Sequence, residues 1–336
     1  MVRQKEIAEK TGFSLSVVSR ALSQVKGKND TLSEETREIV RRAAEEMGYK
    51  PNLQASSLRK GKLPVIGVFL PNWGGSLISE LIMGISDAAR DCELPLSFYF
   101  DMSLDSYGKF LEAMKNQGNS GILSYYPRFN DGPNEKIMKK LYSFRNDGGK
   151  IVMLNTFCYQ KHDFHHVSID EAEGGRIAAD YLISKGCNSF ISIYYRTRLY
   201  MSRLEAFLSR LSGNVSRKLY PLPGPAENEY TELAAIADSI CLSCDRGNFG
   251  IFSATDIVSR YILFYAAKRG IVPGTDFHIV SYDRASAEPE PYEPPRIIQP
   301  FYEVGFRGFM KLHKLINGQK EENEILYPIL REGSLS

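Results

Sequence analysis

The sequence predicts an α/β protein in two unequal parts: a small N-terminal helix-turn-helix headpiece, then two doubly wound parallel-sheet lobes. Three observations point there. Residues 3–22 hold two short helical patterns around Gly12; from Val65 on, short β-rich runs alternate with amphipathic stretches; and the alternation occurs twice within 336 residues. A chain of that length is too long for one small core.

In the headpiece stretch RQKEIAEKTGFSLSVVSRAL, Gly12 stands where the chain must reverse, and it takes φ > 0 without steric cost. Ser14 is the expected N-cap of the second helix, which starts at Leu15 and ends near Leu22. At about 100° per residue, Leu15, Ser16, Ser19 and Arg20 share one arc while Val18, Ala21 and Leu22 share the opposite one. One face packs and the other is free to read. So short a helix needs tertiary support, which Ile7 and Ala8 of the first helix supply.

A third helix is expected after Ser33, with Glu34 and Glu35 in its positive first turn. Ile39, Val40, Ala43, Ala44 and Met47 give it an apolar face, and Gly48 and Pro51 end it. The preceding loop, SQVKGKNDTL, reads as solvated, with Lys26 and Lys28 as phosphate-contact candidates. Residues 52–58, NLQASSL, have no core of their own and are expected to be disordered in isolation. Arg59, Lys60 and Lys62 follow, and basic charge is concentrated in this part of the chain. Residues 1–62 carry 13 Lys/Arg against 8 Asp/Glu, whereas the remainder carries 29 against 32. That asymmetry places a polyanion at the N-terminal part.

The opening MVRQKEIAEK has no apolar leader, and no run approaches the roughly 18 apolar residues of a membrane span, so a cytoplasmic location is expected. Five cysteines, Cys92, Cys158, Cys187, Cys241 and Cys244, are odd in number and lie in core-like stretches, which suits reduced thiols. Cys241 and Cys244 form a CxxC inside a helical pattern without a second pair, and a core-facing helix explains it better than a metal. His162, His165 and His166 read as a solvated loop cluster. No metal site and no cofactor are expected.

In the body, VIGVFLP (65–71), LSFYF (96–100), GILSYY (121–126) and KIVMLN (150–155) are strand candidates separated by helical patterns such as SELIMGISDAARDC. A second set follows: SFISIYY (189–195), RKLYPL (217–222), FGIFSA (249–254) and FHIVSYD (277–283). Two lobes built this way present strand carboxyl ends to a shared cleft, where such sheets take ligands. Nothing places a reaction there: the sequence has no GxGxxG opening a helix, no P-loop, no GxSxG and no Cys/His pairing.

GFSLSVVSRAL, LSEETREIVRRAAEEMGYKPN and ASSLRKGK resemble the DNA-binding headpiece of the lactose/galactose repressor (LacI/GalR) family. VSIDEAEGGRIAADYLISKG, SRLEAF around Arg203, FSATD at 252–256, GIVPGTDFHIVSYD and RIIQPFYEVG resemble its later landmarks, so the likeness covers the whole chain. The resemblance implies periplasmic-binding-protein-like lobes and a ligand-responsive transcriptional regulator. It would be a homodimer on a double-stranded, pseudo-palindromic DNA operator, repressing carbohydrate-metabolism genes. It also implies a headpiece over 1–51, a hinge over 52–62, an N-terminal sensor subdomain over 63–168 and 299–318, and a C-terminal one over 169–298 and 319–336.

Carried over by position, Leu15 and Ser16 become the major-groove specificity pair, Leu15 against a thymine methyl, and Arg20 a reader of guanine. Ser14, Ser19 and Asn29 become phosphate partners. In the hinge, Ala55 faces the minor groove and Leu58 is the wedge between base pairs. For the effector, Arg203 is implied as a bidentate ligand holder and Asp283 as an acceptor from a hydroxyl, two groups that suit a sugar. Asn155, Thr255 and Asp256 sit at matching strand ends, and Trp73 is placed to stack on a sugar face. Asn155 and Asp256 read equally well as helix caps. NWGGSLI and SYDR depart from the family pattern, which leaves the ligand's identity open. The alternative is a two-lobed sugar-binding protein or sugar-acting enzyme without a DNA function, which has no use for residues 1–62.

Overall fold

The computed structural model describes residues 4–22, 32–49, 65–72, 75–92, 94–117, 121–125, 134–155, 164–213, 215–222, 229–242, 249–283 and 292–333. Asn29, Ala55, Leu58 and Trp73, together with Lys26, Lys28, Cys158, Cys244, His162 and the segment 52–62, lie outside the described residues. The chain divides into two units, Met1–Pro64 and Val65–Ser336.

The first unit holds α1 (Gln4–Thr11), α2 (Leu15–Ala21) and α3 (Glu34–Glu46). Gly12 makes the turn at φ 72° and Gly48 ends α3 at φ 65°. Each later helix starts on a serine: Ser14 Oγ accepts from Val17 N at 3.3 Å and Ser33 Oγ from Thr36 N at 3.2 Å. Ile7, Val18, Ala21, Val40, Ala43 and Ala44 form the core, with Ala8, Leu22 and Met47 against it. Ile39, expected inside, is 46% exposed, whereas Arg37 is buried. Arg37 Nη1 donates to Arg20 O at 3.2 Å, so one of the last carbonyls of α2 takes a guanidinium where an aliphatic contact was expected.

The second unit contains two six-stranded sheets. The first lobe begins β1 (Ile66–Leu70), α4 (Gly75–Cys92), β2 (Leu96–Phe100), α5 (Leu104–Asn116), β3 (Gly121–Ser124), α6 (Glu135–Asn146), β4 (Lys150–Leu154) and β5 (His165–Ile169). The chain then builds α7 (Glu171–Ser184), β6 (Ser189–Tyr195), α8 (Arg198–Arg210), β7 (Ser216–Leu222), α9 (Glu229–Leu242), β8 (Phe249–Ser253), α10 (Asp256–Lys268), β9 (His278–Tyr282) and β10 (Arg296–Ile298) in the second lobe. It returns to the first with α11 (Phe301–Ile316) and β11 (Glu324–Leu326), and ends in the second with β12 (Ile329–Arg331).

Strand order is β11-β5-β4-β3-β1-β2 in one sheet and β12-β10-β9-β8-β6-β7 in the other. All pairs are parallel except β10 with β12. The central strands are apolar on both faces because helices cover both. In the first lobe α4 and α11 cover one face and α5 and α6 the other. In the second, α9 and α10 cover one face and α7 and α8 the other.

Two close helix contacts require glycine. A Cβ on Gly305 of α11 would stand 2.2 Å from Leu81 O of α4, and one on Gly175 of α7 would stand 2.1 Å from Arg203 O of α8.

Three placements differ from the sequence reading. Residues 324–326 were expected in the C-terminal subdomain, but they pair with β5 of the first sheet, so the last crossing falls after Leu326. The stretch holding His165 and His166 is strand β5 rather than a loop, and His166 is buried. β5, β10, β11 and β12 were missed: β5 opens on two histidines, and the other three are only three residues long, too short to show a period.

Candidate functional site

In the first unit, α2 buries Val18 and Ala21 and turns its other arc outward, with Leu15 51% exposed beside exposed Ser14, Ser16 and Arg20. Ser19 is half-buried. Ser14 Oγ lies 3.0 Å from Ser16 Oγ, and Arg20 Nε donates to Ser16 O at 3.3 Å, laying its side chain along the helix. An exposed leucine flanked by hydroxyls and a guanidinium offers one apolar contact and several donors to a groove edge.

In the second unit, a cleft of ≈ 460 Å³ lies at the carboxyl ends of the strands of both lobes. Its wall includes Asn155, Arg203, Thr255, Asp256 and Asp283, so five of the six effector candidates come together there; the sixth, Trp73, is outside the described residues. The lobes contribute corresponding residues. Asn155 follows β4, and its Oδ1 accepts from Ile169 N at 3.3 Å; Asp283 follows β9, and its Oδ1 accepts from Gln299 N at 3.0 Å. Each thus ties its strand end to the neighbouring strand's end. Asn155 thus caps no described helix, and its Nδ2 donates to Tyr125 Oη at 3.1 Å. Asp256 is not the cap of α10 either. That role belongs to Thr255, whose Oγ1 accepts from Val258 N at 3.5 Å, while the Asp256 carboxylate holds Arg260 at 2.7 Å and Arg296 at close range.

Arg203 lies in the floor, 4% exposed, and its guanidinium is engaged within the protein. Nε donates to Glu171 Oε2 at 2.7 Å, Nη1 to Ala254 O at 3.1 Å and Nη2 to Gln299 Oε1 at 3.1 Å. The Tyr282 ring centroid is 3.8 Å from its Cζ, a cation–π contact. Burial pushes the Glu171 carboxyl up, against the pull of Arg203. The Asp283 carboxyl is likewise raised by burial, against Arg203 and two hydrogen bonds from Gln299. Burial raises the Tyr125 and Tyr282 phenols well above their usual range, so both stay protonated.

The sequence reading missed Tyr125, Tyr200, Tyr230, Tyr282 and Gln299 in the wall and Glu171 behind it. The strand-end rule was enough to find Tyr125 and Tyr282. Gln299 and Glu171 follow β10 and β5, strands the sequence pattern did not disclose.

A helix-turn-helix unit followed in the chain by a two-lobed unit with a strand-end cleft is the build of a ligand-responsive, DNA-binding transcriptional regulator. The family model "Bacterial regulatory proteins, lacI family" matches residues 4–52. The HTH-type transcriptional regulator YkvZ of Bacillus subtilis (strain 168) is 26% identical over 340 residues, covering 97% of both chains. The lac repressor dimer bound to operator and the anti-inducer ONPF superposes with a TM-score of 0.66 at 18% identity, over 99% of this chain and 98% of that one. The complex of the transcriptional regulator CelR with cellobiose has a TM-score of 0.64 at 18% identity and full coverage of both chains. Residues 4–52 thus match that family's DNA-binding domain, and nearly the whole chain is similar to a transcriptional regulator. Among the described residues no helix is long and apolar enough to cross a membrane.

Proposed function

We propose that the chain is a cytoplasmic, homodimeric repressor of carbohydrate-metabolism genes, whose grip on a pseudo-palindromic operator depends on a sugar in the cleft. In this reading α2 enters the major groove, Leu15 and Ser16 meet base edges, and Arg20 donates to guanine. Ser14, Ser19 and Asn29 meet phosphates. Residues 52–62 are the hinge, with Ala55 facing the minor groove and Leu58 wedging a base step. Residues 1–51 are the headpiece; 63–169 with 299–326 act as one sensor subdomain, and 170–298 with 327–336 as the other.

The sugar contacts both lobes. Asn155 and Asp283 take its hydroxyls from opposite sides, Thr255 and Asp256 add donors and acceptors, and Trp73 stacks on a ring face. Arg203 holds this surface in shape. The observation that carries the reading is the paired placement of Asn155 and Asp283 on one cleft, because a ligand bridging them links the lobes and biases their closure. The likeness to a regulator solved with cellobiose supports the choice of a sugar.

The test is a mobility shift on a pseudo-palindromic duplex selected from a random pool. Wild type is expected to shift it, and Arg20→Ala to weaken binding by roughly tenfold or more. Failure of wild type to select any such site, or full binding by Arg20→Ala, defeats the proposal.

A further inference from the structure

We propose that the cleft takes an uncharged effector, and that Glu171 sets this selectivity by neutralising Arg203; the inference rests on the sugar reading above and narrows it. Arg203 is the one cationic side chain among the described residues lining the cleft. Arginine recognises a carboxylate or phosphate with two parallel N–H donors along one edge of its guanidinium. Here Nε and Nη2 both meet Glu171 Oε2, at 2.7 and 2.6 Å, which occupies one edge. Nη1 is held by Ala254 O and Nη2 also by Gln299 Oε1, which occupies the other. The Tyr282 ring covers a face. With Arg203 and Glu171 at 4% and 2% side-chain exposure, solvent does little to loosen the pair.

Among the described residues the remaining charges in the wall are negative. Asp256 is matched by Arg260 and Arg296, whereas among the described residues the Asp283 carboxylate is met by Gln299 and by the distant field of the same Arg203, with Arg296 donating to its backbone carbonyl at 2.8 Å. Glu80 of α4 adds a further carboxyl that feels Asp283. An anionic sugar would bring its charge beside Asp283 with the Arg203 guanidinium already paired. The N-termini of α4 and α8 reach the cleft without an acidic first turn, and their amides attract electron-rich groups. That field favours an anion, but each terminus carries a partial charge and is not a free cation, so it does not cancel the Asp283 carboxylate.

Glu171 reaches the ligand only through Arg203, as a positioning residue. Among the described residues its buried Oε1 has no hydrogen-bond partner, so no other described donor depends on that oxygen. Glu171→Gln keeps the shape and leaves the guanidinium charge uncompensated.

The test is calorimetric titration of full-length protein with a panel of neutral mono- and disaccharides, each beside its 6-phosphate and its uronic acid. Wild type is expected to bind a neutral member and to bind the charged counterparts at least about tenfold more weakly, the scale of one charge-assisted hydrogen bond. Glu171→Gln, checked for folding by circular dichroism, is expected to close that gap. A phosphate or uronate binding wild type as tightly as its neutral parent overturns the proposal and leaves the sugar reading intact. An unchanged gap in folded Glu171→Gln removes Glu171 from its role. If no panel member binds, the sugar reading itself fails and this inference with it. Should Glu171→Gln not fold, the wild-type comparison still decides the charge selectivity.

Discussion

Asn155 and Asp283 are the two non-glycine residues with left-handed backbone among those described, at φ 41° and 49°. Asn and Asp tolerate that region best because their short side chains bond locally, and here each side chain accepts from a backbone N–H of the neighbouring strand end. Strain held at corresponding points of two lobes fixes the cleft floor before any ligand arrives. Arg203 carries the larger burden. Removing it strands the buried Glu171 carboxylate beside Asp283, so Arg203→Met is expected to destabilise the sensor unit by about 3–5 kcal/mol in urea unfolding. The double substitution Arg203→Met with Glu171→Leu should recover most of that loss, because no buried charge is then unpaired. A single variant as stable as wild type would mean the pair is solvated in solution.

At the scale of elements, α8 presents Arg203 only because α7 lies close enough for Gly175 to touch its backbone. Gly175→Ala places a methyl 2.1 Å from Arg203 O, which forces the helices apart. The expected cost is about 1–3 kcal/mol, with weaker effector binding than the stability loss alone explains, measured by denaturation and titration of the same sample. Gly175→Ala with unchanged effector affinity would uncouple the helix contact from the cleft. Such contacts show where sequence reading stops. The headpiece was legible because its signals are local: Gly12, the caps Ser14 and Ser33, and the apolar arc of Val18 and Ala21 lie within a few residues of one another. Eight of the nine strands longer than three residues were legible for the same reason. Arg37 under α2, Glu171 under Arg203 and Gln299 against Asp283 are joined by tertiary structure across 17, 32 and 16 residues, and no period in the sequence records them. Short strands were equally silent, so the last crossing, after Leu326, was placed too early.

For the whole molecule, acidity and ligand act through the same two lobes. Burial lowers the affinity of His165, His278 and His313 for a proton below the ordinary imidazole value of 6.5. Between that value and the depressed folded values the unfolded chain binds more protons than the native one, so stability rises with pH there and is lost as pH falls through it. The triple His→Gln variant at 165, 278 and 313 should show a flatter stability profile below pH 6.5 than wild type; parallel profiles would exclude the histidines. The coupling of sugar to DNA is tested more sharply by the size of the coupling factor and its loss in a variant. If the sugar changes operator affinity by some factor, the operator must change sugar affinity by the same factor, because the two measurements close one thermodynamic cycle. The ligand shifts that equilibrium only by its differential affinity for the two states, so a factor between about 5 and 150 is expected. Operator affinity measured across a sugar series, and sugar affinity measured with and without operator at one fixed salt concentration, should give one number. Asn155→Ala should shrink both factors together, since it removes one lobe's grip on a bridging ligand. A factor of one in wild type, or a factor that Asn155→Ala leaves unchanged, would mean that the sugar does not act on the operator through the lobe equilibrium.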